Sequence, residues 1–113
     1  MTFDALRSYC NSLPHVTETV QWGDHLVFKV GEKVFCITSS GDPVTACFKV
    51  EEETFFELTE RNNITQAPYM AKKQWVYIEN LEVLTDTELK KRVETSRALV
   101  LSKLSKKVQE KYN

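Results

Sequence analysis

Lys72 and Lys73 stand between Tyr69 and Trp75 in the segment Pro68-Tyr69-Met70-Ala71-Lys72-Lys73-Gln74-Trp75. Cationic side chains neutralise phosphate, and exposed rings stack on bases, so this spacing suits a loop that grips a nucleic-acid backbone. Lys29 and Lys33 bracket the turn Val30-Gly31-Glu32 and offer two more phosphate contacts. The expected nucleic-acid-binding residues are therefore Lys29, Lys33, Tyr69, Lys72, Lys73 and Trp75, with the lysines on phosphate and the two rings stacking or bracing the loop. A plainer reading serves the same residues: the rings anchor the loop and the lysines keep it soluble.

Catalytic chemistry finds less to work with. His15 and His25 are the only histidines, and neither is spaced with cysteine or carboxylate in the manner of a metal site. Cys36 and His25 would share an outward face as a nucleophile and its base, yet nothing nearby supplies an oxyanion hole. Three glycines in three separate turns cannot build a phosphate-cradling loop. No enzyme activity, metal or cofactor is expected.

The remaining composition bounds the answer further. The chain has 113 residues, enough for one domain spanning 1–113, and is 42% hydrophobic and 27% charged, as folded proteins are. No apolar run approaches the roughly 18 residues that cross a bilayer, and Met1-Thr2-Phe3-Asp4 lacks a secretory pattern. Cys10, Cys36 and Cys47 are odd in number and form no Cys-x-x-Cys, so free thiols in a reducing cytoplasm are expected. Net charge is −1, but acidic residues dominate the first half and basic residues the second. That asymmetry is compatible with a basic face.

These residues need elements to hold them. Thr2 can cap a helix over residues 3–13, with Phe3, Leu6, Tyr9 or Cys10, and Leu13 on one side and Pro14 ending it. Residues 18–22 read as a short strand before the Gly23-Asp24 turn. Residues 26–30 and 33–38 are β-rich around Gly31-Glu32, which predicts a type II′ hairpin. Its register pairs Phe28 with Phe35 and Leu26 with Ile37 toward the core, leaving His25, Val27, Lys29, Val34 and Cys36 outward. Residues 44–50 alternate with Val44, Ala46, Phe48 and Val50 inward and Lys49 outward. Glu51, Glu52 and Glu53 favour the start of a second helix, whose apolar side is Phe55, Phe56 and Leu58. Residues 62–73 form a long irregular connection, and 75–79 a further strand. Thr85 to Glu88 is a capping box opening a long last helix through Leu89, Val93, Val100 and Leu104, whose many cations are expected on its solvated side.

The order α-β-β-β-β-α-β-α predicts an α+β fold: a two-layer sandwich, its antiparallel sheet of about five strands covered by helices on one face. The other face would expose Val27, Val34, Cys36, Cys47 and Tyr77. An adaptor or chaperone-like interaction module, or a weak homodimer, could use it, unless the connection at 62–73 folds over it.

Taken together, Trp22-Gly23, the hairpin Leu26-Val27-Phe28-Lys29-Val30-Gly31-Glu32-Lys33-Val34-Phe35, and Pro68-Tyr69-Met70-Ala71-Lys72-Lys73-Gln74-Trp75 resemble the motifs of the YjbR/MmcQ-like proteins, small single-domain bacterial proteins. The likeness runs over essentially the whole chain. It implies a two-layer fold related to secretion chaperones and frataxin, and a role in binding DNA through a double-wing arrangement of hairpins. DNA is accordingly the expected partner, with a protein partner through the open sheet face as the alternative and no membrane association.

Overall fold

The computed structural model of the chain describes residues 1–21 and 23–112, so Trp22 of the predicted aromatic-Gly turn lies outside the described residues. Helix α1, Phe3–Ser12, begins where the Thr2 hydroxyl accepts the Ala5 amide, and stops where Leu13, preceding Pro14, turns extended. Four strands follow: β1 Thr17–Gln21, β2 His25–Val30, β3 Lys33–Ser39 and β4 Thr45–Lys49. Helix α2, Glu52–Thr59, has Glu52 and Glu53 in its first turn, as the dipole favours. Strands β5, Ile64–Gln66, and β6, Trp75–Ile78, precede α3, Asp86–Ser102, and α4, Lys106–Tyr112.

All six strands join one antiparallel sheet in the order β1-β2-β3-β4-β6-β5. Helix α3 packs on β2, β3 and β4, α2 on β5 and β6, and α1 on α3, so the helical layer covers one face. The expected α+β class is correct. The sixth strand is β5, three residues hidden inside what reads as an irregular connection because Asn62-Asn63 and the following Pro68 dominate the local signal.

The β2–β3 hairpin departs from expectation in two linked ways. Gly31 and Glu32 both have positive φ, 56° and 65°, which is the type I′ requirement rather than type II′. The first pairs are as predicted, Val30 with Lys33 and Lys29 with Val34, but a β-bulge then intervenes. Beyond it Phe28 faces Cys36, Val27 faces Ile37 and His25 faces Ser39. The extra residue turns both Phe35 and Cys36 into the core, each fully buried, and sends Ile37 to the other face. The predicted core role of Ile37 and the outward placement of Cys36 are therefore corrected, and with them the Cys36–His25 pair, whose members now lie on opposite faces.

A buried serine accompanies the bulge. The Ser96 hydroxyl, on α3, donates to the Phe35 carbonyl at 2.6 Å and accepts the Lys49 amide at 2.8 Å. These are backbone groups at the point where the β3–β4 ladder ends, after the Cys36–Phe48 pair. One side chain thus satisfies a donor and an acceptor that burial would otherwise strand. Around it the core gathers Leu26, Phe28, Phe48, Val76 and Ile78 from the sheet against Leu6, Leu58, Leu89, Val93 and Val100 from the helices.

Two smaller differences concern the helices. Phe56 is 49% exposed rather than part of the α2 apolar side, leaving Phe55 and Leu58 to face the core. Thr85 does cap α3 by accepting the Glu88 amide, but the Glu88 carboxylate meets Arg61 and Arg92 instead of turning back to the cap. The last helix is also two, broken between Ser102 and Lys106. No helix is long and apolar enough to cross a membrane among the described residues.

Candidate functional site

Strand alternation and register place a defined set of side chains on the face away from the helices. Across its middle runs the row Thr19, Val27, Ile37, Cys47, Tyr77 and Thr65. One alternation step toward the hairpin tip lie Lys29, Val34, Lys49 and Trp75. One step the other way lie His25, Ser39 and Thr45.

The loop from Ala67 to Gln74 closes over part of this face. Its ends are tied by the Ala67 amide to the Trp75 carbonyl and by the Val50 amide to the Gln74 carbonyl. The Gln66 side chain braces it from within, donating to the carbonyls of Ala67 and Met70 while accepting the Lys73 amide. Tyr69 and Lys73 take left-handed backbone, φ 64° and 63°, a conformation that non-glycine residues hold only when their surroundings enforce it. Beneath the loop a pocket of about 540 Å³ is lined by His25, Ile37, Cys47, Pro68, Tyr69, Met70 and Tyr77. Its walls are largely apolar, with a phenol, an imidazole and a thiol as polar tips. That size lies within the usual range of ligand pockets.

The residues singled out from sequence fall into three positions. Lys29 and Lys49 share the face away from the helices, whereas Lys33, at the hairpin tip opposite the core residue Val30, is on the other phase and does not join them. Lys72 is exposed on the loop beside Trp75, and Tyr69 is fully exposed at the pocket mouth. Lys73 turns elsewhere: its ammonium sits 5.8 Å from the centre of the Phe56 ring on α2, a cation–π contact. Trp75 is 7% exposed and braces the root of the loop rather than offering a free ring.

Electrostatics at this end of the sheet are mixed. Burial, and then the neighbouring charge of Lys103, pull the Lys49 ammonium below its ordinary pKa. Burial is the larger cause, and the Lys103 charge at the C-terminal end of α3 adds to it. Glu32 at the hairpin tip and Glu51, Glu52 and Glu53 after β4 lie toward the same end and offset part of the positive charge. Cys47, on the pocket floor, is pushed up to about 11 by burial and stays a thiol at neutral pH. The helical face, by contrast, is occupied with internal pairs: Arg61 with Glu88 and Glu57, Arg7 with Glu18, Arg92 with Glu88, and Lys90 over the Tyr9 ring. Among the described residues no three His, Cys, Asp or Glu side chains gather as a metal site.

Sequence reasoning missed three contributors. Gln66 gave no signal, since a glutamine that braces a loop looks like any other. Ile37 was hidden by the bulge. His25 and Cys47 were placed on the correct face, but only the loop's path makes them neighbours of Met70.

The chain matches the model of the YjbR family over residues 11–99. Among solved structures, it is similar to a Deinococcus radiodurans protein carrying the DUF419 domain, with 30% identity and a TM-score of 0.88 over 97% of this chain and 86% of that one. A Pseudomonas syringae protein is similar at 21% identity and a TM-score of 0.74, over 88% of this chain and 98% of that one, which speaks to the fold. No curated protein matches.

Proposed function

This chain belongs to the YjbR family, and from that premise we propose that it is a non-enzymatic DNA-binding protein that meets phosphate with the cations along one end of its open sheet face. The observation that carries the reading is the row of Lys29 and Lys49 on one face, with Lys72 exposed on the adjoining loop. Neighbouring antiparallel strands lie about 5 Å apart, so the row spans roughly 10 Å, a length over which one strand presents several phosphates. The α3 cations mostly sit on the other layer, where Arg92 is committed to Glu88 and Arg97 donates to the Pro14 carbonyl.

Fluorescence anisotropy with a labelled duplex and a matching single strand at about 50 and 200 mM salt tests this. Three phosphate contacts predict a loss of affinity of roughly 40-fold between the two salts. A Lys29→Glu/Lys49→Glu variant should bind weakly at both. Salt-independent binding, or no binding to either form at low salt, would remove the proposal.

A second reading rests on a separate observation, the apolar pocket under the 67–74 loop. As an adaptor, the protein would seat an apolar side chain of a partner there, and its complex would be insensitive to the lysine substitutions.

A further inference from the structure

We infer that the pocket beneath the 67–74 loop receives a single unpaired base, so that the preferred ligand is a single strand rather than a duplex; this rests on the nucleic-acid reading above. Three features of the site converge on such an occupant. The pocket is lined by Tyr77 and His25 beside Pro68, Met70 and Ile37, with the exposed ring of Tyr69 at its mouth, flat and apolar surfaces against which a base can stack. The lining also offers polar groups for a base edge, the Cys47 thiol, the Tyr77 hydroxyl and the His25 imidazole, whose Nδ1 lies 3.6 Å from the Asp24 carboxylate. The cation row lies one alternation step away, since Lys29 follows Val27, and Lys49 follows Cys47, by two residues on the same face. Two residues of strand span about 7 Å, within reach of a lysine side chain turned toward the phosphates flanking a seated base.

A duplex cannot use this concavity without extruding a nucleotide, because its bases are stacked inside and its phosphates are outside. A purely apolar ligand would use the walls and ignore the lysines. A base attached to its own phosphates uses both. The fully exposed ring of Tyr69 supports the same conclusion. It is carried on left-handed backbone in a loop that Gln66 ties through the neighbouring Met70 and Lys73, so a large aromatic surface is presented to solvent at the pocket mouth.

The experiment uses a short single-stranded DNA carrying one 2-aminopurine and the same sequence as a blunt duplex, each titrated with the intact protein. The single strand should bind at least about tenfold more tightly, with the 2-aminopurine emission quenched as the base stacks. Tyr69→Ala, at a solvent-exposed position, should weaken single-strand binding by about 5- to 150-fold, the range for loss of one stacked base, and so collapse the preference over duplex. Equal affinity for the two forms, or an unchanged preference in Tyr69→Ala, overturns the base-pocket inference while leaving the DNA-binding reading intact. Absence of binding to either form at low salt overturns both. Binding that survives Lys29→Glu/Lys49→Glu also overturns it, because the seated base would then lack its flanking phosphate contacts.

Discussion

Ser96 is the residue on which the central packing turns. Its hydroxyl joins α3 to the exposed end of the β3–β4 ladder, and an alanine there strands the Phe35 carbonyl and the Lys49 amide in a dry interior. Ser96→Ala should cost about 2–4 kcal/mol in urea unfolding, two buried groups at about 1–3 kcal/mol each with partial relaxation. A loss under about 0.5 kcal/mol would mean water replaces the hydroxyl. Cys36 is similarly misjudged by a surface reading: it is fully buried, and hydrogen bonding with Cys10, then desolvation, raise its thiol well above the ordinary range. Native protein should therefore leave Cys36 unlabelled by thiol reagents until it unfolds.

Glu88 supplies the pH dependence at this scale. The Arg61 guanidinium, chiefly by hydrogen bonding, holds its carboxyl below the ordinary 4.5, so the charged form is favoured on folding. A lowered carboxyl contributes stability that is whole above the unfolded value and fades as pH falls through the folded one. The stability gap between wild type and Glu88→Gln, measured by urea midpoints, should be constant down to about pH 5 and shrink below it. A gap that widens on acidification would contradict the pairing.

At the scale of elements, the hairpin separates what a sequence discloses from what it conceals. Alternation correctly marked Phe28 as inward, and Phe35 remained in the core even though its partner changed. Phe28→Ala or Phe35→Ala should cost about 3–5 kcal/mol, read by thermal or denaturant unfolding. The bulge gave no composition signal, since no glycine or proline marks it and the residue that accommodates it, Ser96, lies 61 positions away. Long-range complementarity of that sort is invisible to a local pattern. The turn was misassigned because a glutamate at φ 65° is an unfavourable choice there. Glu32→Asn should accordingly stabilise the hairpin, by about 0.5–1 kcal/mol given the usual penalty for left-handed backbone. Strand β5 and the pocket loop escaped for a related reason: their geometry is set by hydrogen bonds of Gln66 to Ala67, Met70, Ala71 and Lys73 rather than by periodicity.

The molecule as a whole divides its labour between two faces. One is filled by helices, where Arg61, Arg92 and Glu88 pair with each other, and the other carries the lysine row and the pocket. Among the described residues, the large exposed apolar side chains, Val20, Phe56 and Tyr69, sit on separate elements and do not merge into a patch. The radius of gyration over Cα atoms, 13.3 Å, is that of one compact domain of this length. Solution scattering should then return the mass of a single 13.1 kDa chain at micromolar concentration, and a doubled mass would point to the open face as a self-association surface. The single extra residue in β3 has one more consequence, best put in the language of a reading frame. Before the bulge Val34 is in phase with Lys29; after it every side chain has changed phase, and so Ile37, not Cys36, floors the pocket. Deleting one residue there would restore the original phase and exchange the core and pocket sets along the rest of the strand. Chains of this fold should consequently tolerate length changes freely in the 40–44 turn, but within β3 only in compensated steps that preserve phase.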